Sequence, residues 1–138
     1  MANVQDFIAE LKRRRVIRAL LVWGVVLPEA RAAFHRSSNP LFVSMGDVMV
    51  EHTLGHAAES QRTLDHTLAQ PYAKDGGYQI AQIYAWRGEP DRAFKWLGRA
   101  VEQHDAGLTY LKYDPLLSGL RGDPRYKALL RKVNLPVD

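Results

Sequence analysis

The chain contains no cysteine, which excludes disulfide staples, thiolate metal sites and a small disulfide-held secreted scaffold. Long hydrophobic runs are missing too. The longest uninterrupted apolar stretch, residues 19 to 27, is nine residues long and is stopped by Pro28 and Glu29, whereas a helix crossing hydrocarbon needs about 20. No small-residue cleavage site is evident beyond it, so neither a transmembrane helix nor a cleaved signal peptide is expected. There is also no Gly-rich phosphate loop and no nucleophile elbow. His52 and His56 stand four apart with Glu51, Glu59 and His66 nearby, but a zinc protease needs His-Glu-x-x-His on one unbroken helix face so that both imidazoles converge. Gly55 breaks the helix between these two, so they read as surface or turn histidines. The expectation is therefore no catalytic residue, no metal site and no cofactor.

What is present describes an ordinary folded chain. Its 138 residues suffice for one core and are few for two. An apolar fraction of 46% and a charged fraction of 25% argue against disorder and against a membrane-embedded body. The net charge of +4 is unevenly placed. Residues 1 to 36 hold seven basic side chains against three acids, and the remainder is balanced. The collar formed by Lys12, Arg13, Arg14, Arg15 and Arg18 suits phosphate groups of lipid or nucleic acid, an acidic partner, or simply solvent.

Apolar residues recur at helical spacing at Val4, Phe7, Ile8 and Leu11, ahead of the collar. In residues 16 to 27 they point in every direction around a helix, so that segment is expected to be buried by protein, either on the body of the chain or across a homodimer. Further helices are expected over residues 29 to 35, 41 to 53, 57 to 69, 78 to 87 and 91 to 103, separated by Gly55, Pro71, Gly76-Gly77 and Gly88-Glu89-Pro90. Asp114-Pro115 and Asp123-Pro124 each set a side-chain acceptor at an N-cap and proline at the first helical position, so each predicts a helix start. The last helix should run from Pro124 to about Val133. No segment alternates in the manner of a strand, and the chain reads as all-α.

Short helices joined by short turns invite a search for repetition. Gly55 and Gly88 lie 33 residues apart, and Ser60 with Ala93, Leu64 with Leu97 and Thr67 with Ala100 keep that offset. Ala81, Tyr84, Gly88, Ala93, Leu97 and Ala100 stand where the tetratricopeptide repeat family has its small, aromatic, glycine, small, bulky and small positions. On these residues the chain resembles that family over about 74 to 107, and more weakly over 41 to 73. Gly77 replaces the family's usual tryptophan, and Asp105 its closing proline. The stretch DFIAELKRRRVIR resembles the membrane-proximal opening of large bacterial proteins that end in tetratricopeptide arrays. GLTYLKYDPLLSGLRGDPRYKALLRKVNLP resembles the end of such arrays.

The resemblance implies an N-terminal basic and apolar helix (1 to 28) and a repeat domain (29 to 138), in which two helical hairpins, about 41 to 73 and 74 to 107, stack as a short solenoid closed by a C-terminal cap (108 to 138). It further implies a non-catalytic, protein-binding scaffold whose first helices line a groove. Carried onto this chain, the groove comprises Phe42, Met45, Met49, His52, Asp75, Tyr78, Gln82 and Trp86. Two methionines and three aromatics suit an apolar peptide or helix, and helix 1 of the same or a second chain is one candidate for it. A membrane surface engaged by helix 1 is the alternative. Nucleic acid ranks third, because one basic helix gives only salt-sensitive, sequence-independent attraction. A cytoplasmic location is expected, with membrane association as its variant. The register also predicts that Leu at Ala93 overpacks a helix crossing, whereas Leu at Ala85, on the face expected to be open, is tolerated.

Overall fold

The computed structural model describes residues 27 to 137. The basic collar and the apolar segment up to residue 26 lie outside the described residues. Six α-helices are described: α1 (Leu27–His35), α2 (Pro40–Thr53), α3 (Ala57–Leu68), α4 (Gly77–Trp86), α5 (Pro90–Glu102) and α6 (Pro124–Lys132). Short 3-10 helices occupy Pro71–Ala73, Ala106–Tyr110 and Pro115–Leu120. Among the described residues there is no strand, and no helix is long and apolar enough to cross a membrane. The fold is all-α.

Local chemistry accounts for where these helices begin. Asn39 caps α2, its side-chain oxygen accepting from the Leu41 amide at 2.9 Å, with Pro40 in the first turn. Asp123 does the same for α6 through the Arg125 amide, again at 2.9 Å. Proline is at home there because the first helical amides have no intrahelical acceptor. The equivalent cap at Asp114 opens only a 3-10 helix, Pro115–Leu120, rather than the α-helix its sequence suggests. Just nine residues separate it from the next Asp-Pro start, and Gly119 and Gly122 fall within that span, where glycine costs about 1 kcal/mol in a helix interior.

The helix ends repeat one device. At the end of α2, Gly55 donates to the His52 carbonyl and His56 to the Glu51 carbonyl. At the end of α4, Gly88 donates to Ala85 and Glu89 to Tyr84. This is the Schellman arrangement, and it puts the residue after the C-cap in the left-handed region, where Gly55 has φ 85° and Gly88 φ 75°. Every donor and acceptor in the first set lies 33 residues from its counterpart in the second. The same holds for the core: Ser60, Leu64 and Thr67 on α3, and Ala93, Leu97 and Ala100 on α5, are all buried. Two sequence-related hairpins, α2–α3 and α4–α5, therefore close in the same way.

Burial of these faces is the main stabilising term. Leu64 and Leu97 are fully buried, each contributing about 1.5–3 kcal/mol relative to exposure. Ser60 can occupy an apolar layer because its hydroxyl donates to the Val48 carbonyl at 2.9 Å. At Gly77 a Cβ would come within 3.1 Å of the Ala100 backbone nitrogen. Glycine there lets the start of α4 approach the end of α5, which explains why a tryptophan has no place at this position. The hairpins pack together through α2 and α4. Arg87 ties them further, donating to Gln61 of α3 at 2.6 Å and pairing with Glu89 at 2.8 Å.

The tail closes the far side. Asp105 joins the end of α5 to the start of α4, one carboxylate oxygen accepting from the Gly107 amide (2.8 Å) and the other from the Tyr78 amide (3.1 Å). The Tyr126 hydroxyl of α6 donates to the Leu111 carbonyl at 2.6 Å. Arg125 pairs with Asp91 at 2.8 Å while its guanidinium lies 4.4 Å from the Phe94 ring centroid.

Ala85 departs from the expectation of an open face: it is half-buried and packs against the core, because the end of α4 is covered from more than one side. It is not a neutral control. Gly98, inside α5 with open space beside it, is a better one. Ala93→Leu is expected to destabilise the chain by about 1–3 kcal/mol through overpacking. Gly98→Ala should stabilise it by about 0.5–1 kcal/mol. Urea melts of the two variants and wild type measure both changes, and a stabilised Ala93→Leu would overturn the packing register.

Candidate functional site

Between α1, α2, α4 and the segment that follows α5 lies an apolar cleft of about 710 Å³. Each wall follows from the helical period. On α2, Phe42, Met45, Met49 and Thr53 face the cleft, a stripe that advances by three or four residues, with Val50 at its edge. On α4 the stripe is Tyr78, Gln79, Gln82 and Trp86. Ala30, Ala33 and Phe34 of α1 form a third wall. The fourth comes from Tyr110, Tyr113, Asp114, Pro115 and Leu116.

Of the eight groove residues expected from sequence, Phe42, Met45, Met49, Tyr78, Gln82 and Trp86 line this cleft. His52 and Asp75 do not. His52 precedes Thr53 by about 100° of helix rotation, and Thr53 takes the cleft-facing position. Asp75 falls in the exposed turn ahead of α4, which starts only at Gly77, and Gln79 stands in the cleft wall instead. Depth also differs from the expectation of an adaptable methionine surface. Met45 and Met49 are only 1% and 5% exposed and form the floor, because α1, α3 and α4 all pack on α2. The exposed apolar surface at the cleft is Phe42, at 37%, together with Tyr110 and Tyr113, at 70% and 77%.

Sequence reasoning missed Tyr110, Tyr113 and the cleft-facing side of Asp114. Asp114 was legible as a helix cap, and its Oδ1 does accept from the Leu116 amide at 2.8 Å. Its other oxygen gathers a second pair of donors, the Tyr78 hydroxyl at 2.7 Å and the Gln82 side-chain amide at 2.6 Å. All three side chains are buried. Burial, and then the hydrogen bond donated to Asp114, raise the Tyr78 hydroxyl far above the usual tyrosine range, so it stays a donor at any physiological pH. Trp86 is fixed differently: its indole Nε1 donates to the Thr53 hydroxyl at 3.0 Å, and that hydroxyl donates to the Met49 carbonyl at 2.8 Å.

Outside the cleft, α1 is fastened to α2 by charge. Arg31 pairs with Glu51 and lies 3.2 Å from Asp47. His35 meets Asp47 at 2.9 Å, and His56 meets Glu51 at 2.7 Å. Hydrogen bonds from His56 and then Arg31 hold the Glu51 carboxyl below its ordinary value of 4.5. Glu51 thus serves the packing of α1 through Arg31, and His56 bonds to Glu51 from the turn ahead of α3. Among the described residues no group of three or more histidines, aspartates and glutamates could hold a metal ion.

Compared with family models, curated proteins and solved structures, the chain matches none of them. The chemistry of the cleft is therefore read from its own residues. Its polar groups satisfy one another, and it offers a ligand apolar surface, two exposed tyrosines and the edge of one carboxylate.

A group whose folded pKa is depressed contributes stability above its unfolded value and loses it as the pH falls through the folded one. The Glu51 contribution should thus be complete at neutral pH and lost below about 4.5. The difference in stability between wild type and Glu51→Gln, from urea melts at pH 7 and pH 3, should shrink on acidification. A difference that does not change with pH would remove Glu51 as the anchor of α1.

Proposed function

We propose that this chain is a non-catalytic interaction module of the tetratricopeptide-like kind, which takes an apolar helix or peptide into the cleft between α1, α2, α4 and the tail. The observation that carries this reading is the cleft itself, some 710 Å³ with an apolar floor of Met45 and Met49 and exposed Phe42, Tyr110 and Tyr113 at its mouth. Exposed aromatics beside a concave apolar surface are the usual anchors of helix-in-groove recognition. The 33-residue correspondence of turns and buried residues supports the repeat reading, in which each hairpin buries its face only against a neighbour. On this reading α1 and the tail act as the caps such a stack requires.

Phe42→Ala and Tyr110→Ala remove exposed anchors while leaving the core intact, so both variants should melt within a few degrees of wild type. Apolar helical peptides selected from a displayed library against the full chain should bind each variant more weakly by about 1–2 kcal/mol, roughly 5- to 30-fold in Kd. Titration by isothermal calorimetry reads this directly. Peptides that bind both variants as tightly as wild type would refute the cleft as the binding surface.

A further inference from the structure

The lining of the cleft carries one charged side chain among the described residues, Asp114. It is only 7% exposed, and the donors on its carboxylate, from Leu116, Tyr78 and Gln82, are all neutral. Arg121 reaches the same residue but donates to its backbone carbonyl, at 3.2 Å. A negative charge thus stands in an apolar wall, held by neutral hydrogen bonds. An apolar ligand that docks there strips away water and leaves that charge without a counterion, which is costly. A ligand that brings one cation avoids the cost, so the carboxylate discriminates between ligands even where the ion pair adds little raw affinity. A second cation would itself be buried without a partner.

The geometry of the carboxylate narrows the kind of cation. Two carboxylate oxygens offer about four acceptor sites. Oδ2 takes two donors, the Tyr78 hydroxyl at 2.7 Å and the Gln82 amide at 2.6 Å, and is full. Oδ1 takes one, the Leu116 amide at 2.8 Å, and keeps the remaining site. A guanidinium grips a carboxylate best through two parallel bonds, one to each oxygen, and the full Oδ2 denies it the second. An ammonium is a compact charge that needs a single site, and its four-carbon stem can lie along the apolar lining. The rim adds aromatic faces. The Tyr110 carbonyl accepts from the amides of Tyr113 and Asp114, both at 3.0 Å, so one turn carries both exposed rings and the carboxylate. The Lys112 ammonium already lies 5.6 Å from the Tyr113 ring centroid, and the Tyr110 ring offers a second such face.

We propose that the partner taken into the cleft is an apolar helix with one lysine, whose ammonium donates to Asp114 Oδ1 beside the Tyr110 ring. The proposal rests on the reading of the cleft as a receptor for an apolar helix, and it adds the one charged group such a helix carries. Helices with no charge, with an acidic side chain or with arginine at that point bind less tightly.

Asp114 also holds the tail, so the test leaves it in place and varies the probe. The probes are apolar helical peptides selected against the full chain from a displayed library in which basic, acidic and neutral side chains are equally represented. The selected peptides should share one lysine. In calorimetric titrations, replacing that lysine by glutamine should raise Kd about tenfold. Glutamate should raise it further, and arginine should raise it by less than glutamine does. In the ¹³C-labelled chain the Asp114 carboxyl carbon should shift at saturation with the lysine peptide and move much less with the glutamine peptide. The proposal is overturned by selected peptides that share no lysine, by glutamine or arginine serving as well as lysine, or by an Asp114 carbon that responds alike to both peptides. If it fails in one of these ways while the peptides still lose affinity for Phe42→Ala and Tyr110→Ala, the cleft remains a receptor for a helix of other composition. If no peptide is selected, or the peptides bind both variants unimpaired, the receptor reading itself is lost.

Discussion

Asp114 is the joint between the hairpins and the tail. It caps the 3-10 helix at Pro115–Leu120, it takes the Tyr78 hydroxyl and the Gln82 amide from α4, and its own carbonyl accepts from Arg121 at 3.2 Å. Without the carboxylate, two buried donors on α4 would each be left unsatisfied at about 1–3 kcal/mol. The tail would also lose the contact that sets its position across the cleft. Satisfied polar networks of this kind specify one arrangement among the several that apolar packing alone would accept. The back wall of the cleft, and with it the distance between the exposed tyrosines and α2, follows from this one side chain.

Around that joint the architecture depends on closeness. α5 lies against the start of α4 where Gly77 meets the Ala100 backbone, and Ala93 and Ala100 present no bulk at the crossing. The bulky buried residues, Leu64 and Leu97, fill the space beside the small ones. Asp105 then stitches the end of the second hairpin back to its beginning through the amides of Tyr78 and Gly107. A hydrogen-bonding side chain thus fixes the direction of the chain as it leaves α5.

The hairpins were legible because punctuation and period agree. Gly55, Gly88, Pro40 and Pro90 bracket segments whose apolar residues keep helical spacing, and observed boundaries fall within a residue of those expected. The tail was less so. Residues 106 to 120 form two 3-10 helices joined by a turn, which show no 3.6-residue period, so Tyr110 and Tyr113 carried no signal of where they would face. Periodicity likewise identified the cleft side of α2 and α4 but not its depth. Met45 and Met49 are buried where α1, α3 and α4 pack on α2, and that cover is a tertiary fact no single segment records. His52 and Asp75 lie off the cleft: His52 is one helix step away from the cleft-facing Thr53, and Asp75 precedes the start of α4.

The division of the cleft into floor and rim bears on how it can change over generations. Met45, Met49, Tyr78 and Gln82 are committed to holding the fold, so drift at these sites is limited by stability whatever the ligand. Tyr110, at the end of a 3-10 helix, and Tyr113, in the turn after it, are largely exposed and carry little of that burden. Rim residues can therefore be exchanged one at a time, with each intermediate still folded, so that the surface of the cleft can change while its scaffold stays the same.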